Sequence, residues 1–102
     1  MAILVRYTPT DLTREKYDQV NEVLMSEGAG EPPEALLLHV LFGDDGNLRV
    51  SEIWSDEATW RGFYDEVLTP AFEKTGVGAS GSPEIMPVET FWGSATSQQI
   101  GV

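Results

Sequence analysis

The chain has no cysteine. That excludes disulfides, CxxC redox chemistry, thiolate catalysis and cysteine-bound zinc. It has one histidine, His39, too few for a histidine-rich metal centre, so neither a metal nor a cofactor is expected. Basic residues are scarce as well: six Lys and Arg stand against seventeen Asp and Glu, for a net charge of −11. Displacing counterions from phosphates needs clustered cations, so neither nucleic acid nor an anionic membrane surface is an expected partner. No apolar run approaches the ~20 residues of a membrane helix. The opening Met1 to Arg6 lacks the basic flank and the length of a secretory signal, which leaves the cytoplasm as the expected compartment. There is no P-loop, no GxGxxG and no GxSxG; Gly28-Ala29-Gly30 follows a helical pattern rather than a strand.

What is present has the composition of an ordinary globular domain, 41% hydrophobic and 23% charged over 102 residues. A chain of this size buries roughly 65% of its unfolded surface, so there is room for one core and no second domain. Residues 2–7 read as a first strand, with Ile3, Val5 and Tyr7 on one face. Thr13 is a candidate N-cap for a helix reaching about Glu27, with Leu12 stapled onto Tyr17 and a stripe of Tyr17, Val20 and Leu24. Gly28 ends it in a left-handed position.

The apolar segment 35–43 leads into Asp45-Gly46, a type I′ hairpin signal, and then into a third strand at 48–54. With the turn centred there, His39 pairs with Glu52, Leu41 with Val50 and Leu37 with Trp54. Ser55 or Asp56 caps a second helix, in which Pro70 predicts a break or kink near Leu68-Thr69. Gly76 ends that helix, a Gly/Ser loop covers 76–83, and a fourth strand runs from Glu84 to Trp92, with Pro87 marking an edge or a bulge. The domain thus spans 1–92, and residues 93–102 form a tail expected to be mobile.

The order strand, helix, strand, strand, helix, strand gives an α+β, ferredoxin-like fold: a four-stranded antiparallel sheet in the order 4-1-3-2 with both helices on one face. The other face needs cover, and a second copy of the chain packed against it would supply one. Leu38, Val40, Phe42 and Ile53 suit packing against the helices. Leu37, His39, Leu41, Val50, Glu52 and Trp54 suit a cavity with a polar handle, on the face left open to the partner.

His39, oriented by Glu52 across the hairpin, is the candidate general acid or base, with Tyr7 as a hydrogen-bond donor from the neighbouring strand. The alternative is a histidine and a glutamate that merely satisfy each other across a sheet. The aromatic concentration Trp54, Trp60, Phe63, Tyr64 and Phe72 is mostly packing, yet several of these rings around a cavity would hold a flat apolar ligand. The expected ligand-binding set is Leu37, Leu41, Val50, Trp54, Trp60, Phe63 and Tyr64.

The segment LRVSEIWSDEATWRGFYDEVLTPAF, residues 48–72, resembles the strand-three and helix-two region of the dimeric α/β-barrel superfamily. The matching residues are Glu52-Ile53-Trp54-Ser55, the acidic cap that follows, and Leu68-Thr69-Pro70-Ala71. The superfamily includes antibiotic-biosynthesis-monooxygenase-like proteins, stress-responsive barrel proteins and small polyketide cyclases. Within it the chain looks closest to small bacterial proteins with a histidine in strand two and E/D-x-W-x-S in strand three. The resemblance covers residues 2–92 and implies a homodimer and cofactor-independent chemistry. Departures narrow it. Phe63 stands near the place where monooxygenase-like members often carry a helix-two histidine. Tyr7, Phe63 and Glu73 stand near the Asn, Trp and His of haem-degrading members, which argues against haem degradation. Tyr7 and His39 could imitate the Tyr/His pair of the barrel cyclases.

Two functions follow as expectations. One is a dimeric protein that binds a small apolar or aromatic molecule in a cavity between sheet and helices, without a dedicated catalytic role. The other is a cofactor-independent monooxygenase or polyketide-type cyclase using His39 as general acid or base.

Overall fold

A computed structural model describes residues 1–28, 31–79 and 81–91. Strand β1 (Ile3–Arg6) lies at the centre of a four-stranded antiparallel sheet. It is flanked by β4 (Asn47–Trp54) and β6 (Glu84–Pro87), and β3 (Leu36–Asp44) completes the order β3-β4-β1-β6. In chain order of the four long strands this is the expected 4-1-3-2. A two-stranded ribbon pairs β2 (Pro9–Thr10) with β5 (Gly78–Ala79), so part of the expected 76–83 loop is strand.

Helix α1 (Arg14–Ser26) starts where the sequence says it should: Thr13 is extended and its hydroxyl accepts the Lys16 N–H at 3.1 Å. Gly28 follows at φ +81°, a left-handed conformation that costs glycine nothing. Helix α2 (Glu57–Phe63) is capped by Asp56, whose carboxylate accepts both the backbone N–H and the hydroxyl of Thr59.

Three local expectations are corrected. At Pro70 the helix does not break. A π-helical turn, Tyr64–Leu68, joins α2 to α3 (Thr69–Thr75), and Thr69 donates to the Tyr64 carbonyl, five residues back. The wider turn absorbs the missing proline donor and the ring's clash with the preceding turn. Of the two turn residues Asp45 and Gly46, only Gly46 is left-handed, at φ +87°, while Asp45 keeps a negative φ. The turn is therefore not type I′, which needs φ > 0 at both positions. The fourth strand ends at Pro87, on the sheet edge where a proline is tolerated, and Trp92 lies outside the described residues, as does the tail 93–102.

The hairpin register pairs His39 with Glu52 and Leu41 with Val50. Beyond them a bulge intervenes, so that Leu38 pairs with Ile53 but Leu36, not Leu37, lies opposite Trp54. One extra residue in the bulge moves Leu37 off the predicted face, and it is 38% exposed.

Both helices cover the face that carries Ile3, Val5, Glu52 and Trp54. The core cluster there is Ile3, Val5, Trp54 and Trp60, with Phe63, Tyr64 and Ile85 packed against it. The two faces of the sheet are thus exchanged relative to expectation. His39, Val50, Glu52 and Trp54 look toward the helices, whereas Leu38, Val40, Phe42 and Ile53 lie on the open side. The alternation along the hairpin was right, but it relates residues only to each other; the large rings of α2 decide which face is covered. No helix among the described residues is long and apolar enough to cross a membrane.

The Asp56 cap gives a testable pH dependence. The Thr59 backbone N–H, and then its hydroxyl, hold the Asp56 carboxyl below its ordinary 3.8. A depressed folded-state value stabilises the fold above the unfolded value, and that contribution is lost as pH falls through the folded one. Asp56→Ala should lower the melting temperature at neutral pH, with a smaller difference from the parent at about pH 2, followed by circular dichroism. Equal differences at both pH values would show that the ionised cap contributes nothing.

Candidate functional site

Glu52 lies toward the C-terminal end of β4, 5% exposed. A carboxylate in that setting is costly unless it is hydrogen-bonded. Three donors meet it. The Tyr7 hydroxyl and the Trp54 indole N–H both donate to Oε1, at 2.8 Å and 3.0 Å, and His39 Nδ1 lies 2.6 Å from Oε2. An ionised carboxylate only accepts, so His39 carries a proton on Nδ1, and in the neutral ring Nε2 is the accepting nitrogen.

The network extends in both directions. Trp60 on α2 donates its indole N–H to the Tyr7 oxygen at 3.0 Å. At the other end, the Tyr17 hydroxyl on α1 lies 2.7 Å from His39 Nε2. With neutral imidazole the phenol donates to Nε2; with imidazolium Nε2–H donates to the phenol oxygen. The continuous chain Trp60–Tyr7–Glu52–His39–Tyr17 links α2 to α1 through the sheet. Among the described residues no buried side-chain nitrogen or oxygen lacks a partner.

Burial, followed by the Glu52 charge, pushes the Tyr7 phenol far above its ordinary 10.0 and keeps it a donor. Burial also raises the Tyr17 phenol, partly offset by a hydrogen bond from Asn21.

This chain of groups borders a cavity of about 540 Å³ between the sheet and α1. Its polar features are Tyr7, Tyr17, Asn21, His39 and Glu52. Apolar side chains make most of the remaining wall: Leu12, Val20 and Leu24 from the α1 side, Leu36 and Val50 from the sheet, and Phe63, Leu68 and Phe72 around the π turn. Pro32, Pro33 and the exposed Met25 sit at its rim. The π turn matters here, because it bridges the two helical segments from which Phe63 and Phe72 reach the same wall. Size and lining are those of a small-molecule site.

The three candidate catalytic residues, His39, Glu52 and Tyr7, are brought together by direct hydrogen bonds. The candidate ligand-binding set divides. Val50 and Phe63 line the cavity; Leu37, Leu41, Trp54, Trp60 and Tyr64 do not. The bulge removes Leu37. Leu41 lies two residues beyond His39 toward the hairpin tip. Trp54 and Trp60 are fully enclosed in the core and offer no surface to a ligand, and Tyr64 stacks on Trp60 with ring centroids 5.1 Å apart. Tyr17 was read only as part of the α1 stripe. Helical periodicity marks a residue as facing inward, and gives no sign that its hydroxyl will meet a histidine from the sheet.

No protein-family model matches the sequence, and no curated protein is significantly similar to it. Among solved structures, the chain is similar to one from Chloroflexus aurantiacus J-10-fl, described provisionally as an antibiotic biosynthesis monooxygenase. The two are 17% identical, with a TM-score of 0.50, and the match covers 89% of this chain and 95% of the other. The fold is ferredoxin-like. The α+β architecture implied by the strand-three and helix-two residues is therefore borne out over nearly the whole domain, and at this identity the likeness is one of fold.

Tyr7→Phe would leave Glu52 one donor short and Trp60 Nε1 without its acceptor. A loss of about 1–3 kcal/mol in urea unfolding is expected. A phenol whose folded-state value is raised stabilises the fold below its unfolded value of 10.0, and that contribution is lost as pH rises beyond it. The parent protein should therefore lose stability above pH 10 more steeply than Tyr7→Phe does. Parallel alkaline limbs would contradict the assignment.

Proposed function

We propose that the cavity binds a small apolar or aromatic molecule and that His39 acts on it as a general base, by cofactor-independent chemistry. The observation that carries this reading is the His39–Glu52 pair. A buried carboxylate fixes Nδ1–H and leaves Nε2, hydrogen-bonded to Tyr17 at the cavity wall, as the nitrogen that takes a proton from a bound ligand once that bond opens. The His39 ring is 35% accessible and lines that cavity, whereas Glu52, which also borders it, is 7% accessible and held by three donors. Glu52 and Tyr7 act as positioning groups: the first sets the tautomer, the second holds the first. A reaction of monooxygenase or cyclase type on a polyketide-like substrate would begin with such a proton transfer.

A non-catalytic binding protein is the second reading, favoured by the Tyr17 hydroxyl that already occupies Nε2. The two separate in one experiment. Aromatic and polyketide-like compounds are screened by thermal shift, since a ligand raises the melting temperature with its occupancy. Turnover of the compounds that bind is then compared between the parent and His39→Gln. A base contributes roughly 10²–10⁴-fold, so turnover should fall by at least about a hundredfold. Turnover that persists in His39→Gln, or binding without any turnover in the parent, would leave the binding role alone.

We further propose that a second copy of the chain covers the open sheet face. Val40 and Phe42 are 39% and 43% exposed there, beside Leu38, an apolar patch that a second copy would remove from water. The described residues that line the cavity all belong to one chain. Analytical ultracentrifugation should give a dimer at micromolar concentration and a monomer for Phe42→Asp; a monomeric parent would refute this arrangement.

A further inference from the structure

The polar end of the cavity contains a group that the His39 mechanism does not use. The Tyr17 hydroxyl lies 2.7 Å from His39 Nε2, and both side chains border the cavity. Among the described residues that line it there is no Lys or Arg, and the one carboxylate, Glu52, is engaged by three donors. Arg14 sits over the Tyr17 ring, 5.8 Å from its centroid, but its guanidinium is paired with Asp18 at 3.1 Å. A ligand with a fixed negative charge would enter an apolar chamber lined by no described Lys or Arg, next to a buried carboxylate, in a protein of net charge −11. Desolvating such a charge without a partner is costly.

We propose that Tyr17 and His39 together form a two-point oxygen site, which takes a neutral ligand carrying one hydroxyl or carbonyl group on an apolar frame and rejects permanently anionic ligands. The hydrogen bond between Tyr17 and Nε2 is the ligand-free closure of that site. A ligand oxygen inserted between the two groups replaces one bond with two: a ligand hydroxyl donates to Nε2 and accepts from the phenol of Tyr17. A carbonyl oxygen accepts from Tyr17 and, when His39 is protonated, from Nε2–H. The phenol is suited to this role because burial keeps it protonated well above neutral pH. Ligands lacking the oxygen still fill the apolar part of the cavity but leave the Tyr17–His39 bond closed. The inference rests on the reading of the cavity as a binding site, and adds to it the polar group that the ligand must carry.

The test uses three probes on one ring frame: naphthalene, 2-naphthol and naphthalene-2-sulfonate. Their affinities for the intact chain are measured by equilibrium dialysis at neutral pH. Expected are a preference of about tenfold for 2-naphthol over naphthalene, the worth of about one net hydrogen bond, and no measurable binding of the sulfonate. In Tyr17→Phe, and separately in His39→Gln, the preference should fall toward unity. The ratio within one variant is insensitive to a general loss of packing, and circular dichroism verifies that each variant is folded. An unchanged preference in both variants, or sulfonate binding as tight as that of 2-naphthol, would overturn the two-point site while leaving the cavity as a binding site. Failure of all three probes to bind would overturn both.

Discussion

The Glu52 carboxylate sits in the covered face of the sheet, and the organisation of the domain around the site can be understood from the need to satisfy it. An ionised group held this far from water needs hydrogen bonds to all the acceptor capacity it turns inward. Tyr7 comes from β1, Trp54 from the same strand as Glu52, and His39 from β3. Two of the three donors arrive with a partner of their own: Trp60 on α2 behind Tyr7, and Tyr17 on α1 behind His39. A single buried charge thereby ties both helices to the three strands β3, β4 and β1. Removing one partner leaves others unsatisfied, so the network is a constraint on the whole fold as well as a site.

At its polar end α1 meets the sheet through the Tyr17–His39 hydrogen bond, and the cavity lies beside it. On the α2 side, Trp54, Trp60, Ile3 and Val5 close the layer completely. On the α1 side, the stripe of Tyr17, Val20 and Leu24 borders open volume. The π turn before Pro70 shifts the register between α2 and α3, and Leu68 within it and Phe72 after it complete the wall. A core that is dense at one end and hollow at the other is the arrangement needed to hold an apolar ligand against a rigid set of polar groups.

Fold and chemistry have different warrants here. The similarity to the Chloroflexus aurantiacus structure extends over most of both chains and concerns architecture. Architectures of this kind host unrelated reactions, so function must come from the site. The Glu52–His39–Tyr17 series is the feature of this chain from which a function can be argued, and its hydrogen bonds are formed within one chain.

Element order, the Thr13 and Asp56 caps, the left-handed Gly28 and the pairing of His39 with Glu52 could all be read from the sequence. They depend on interactions within a few residues or across one tight turn, where spacing carries the information. Other features were not local. The bulge that displaced Leu37, the choice of covered face and the meeting of Tyr17 with His39 depend on how whole elements pack. Alternation along a strand has a period of two and divides residues into two sets without saying which set is inside. Only the docking of Trp60 and Phe63 against Trp54 broke that symmetry, and it turned His39 inward, toward the helices and the cavity between them.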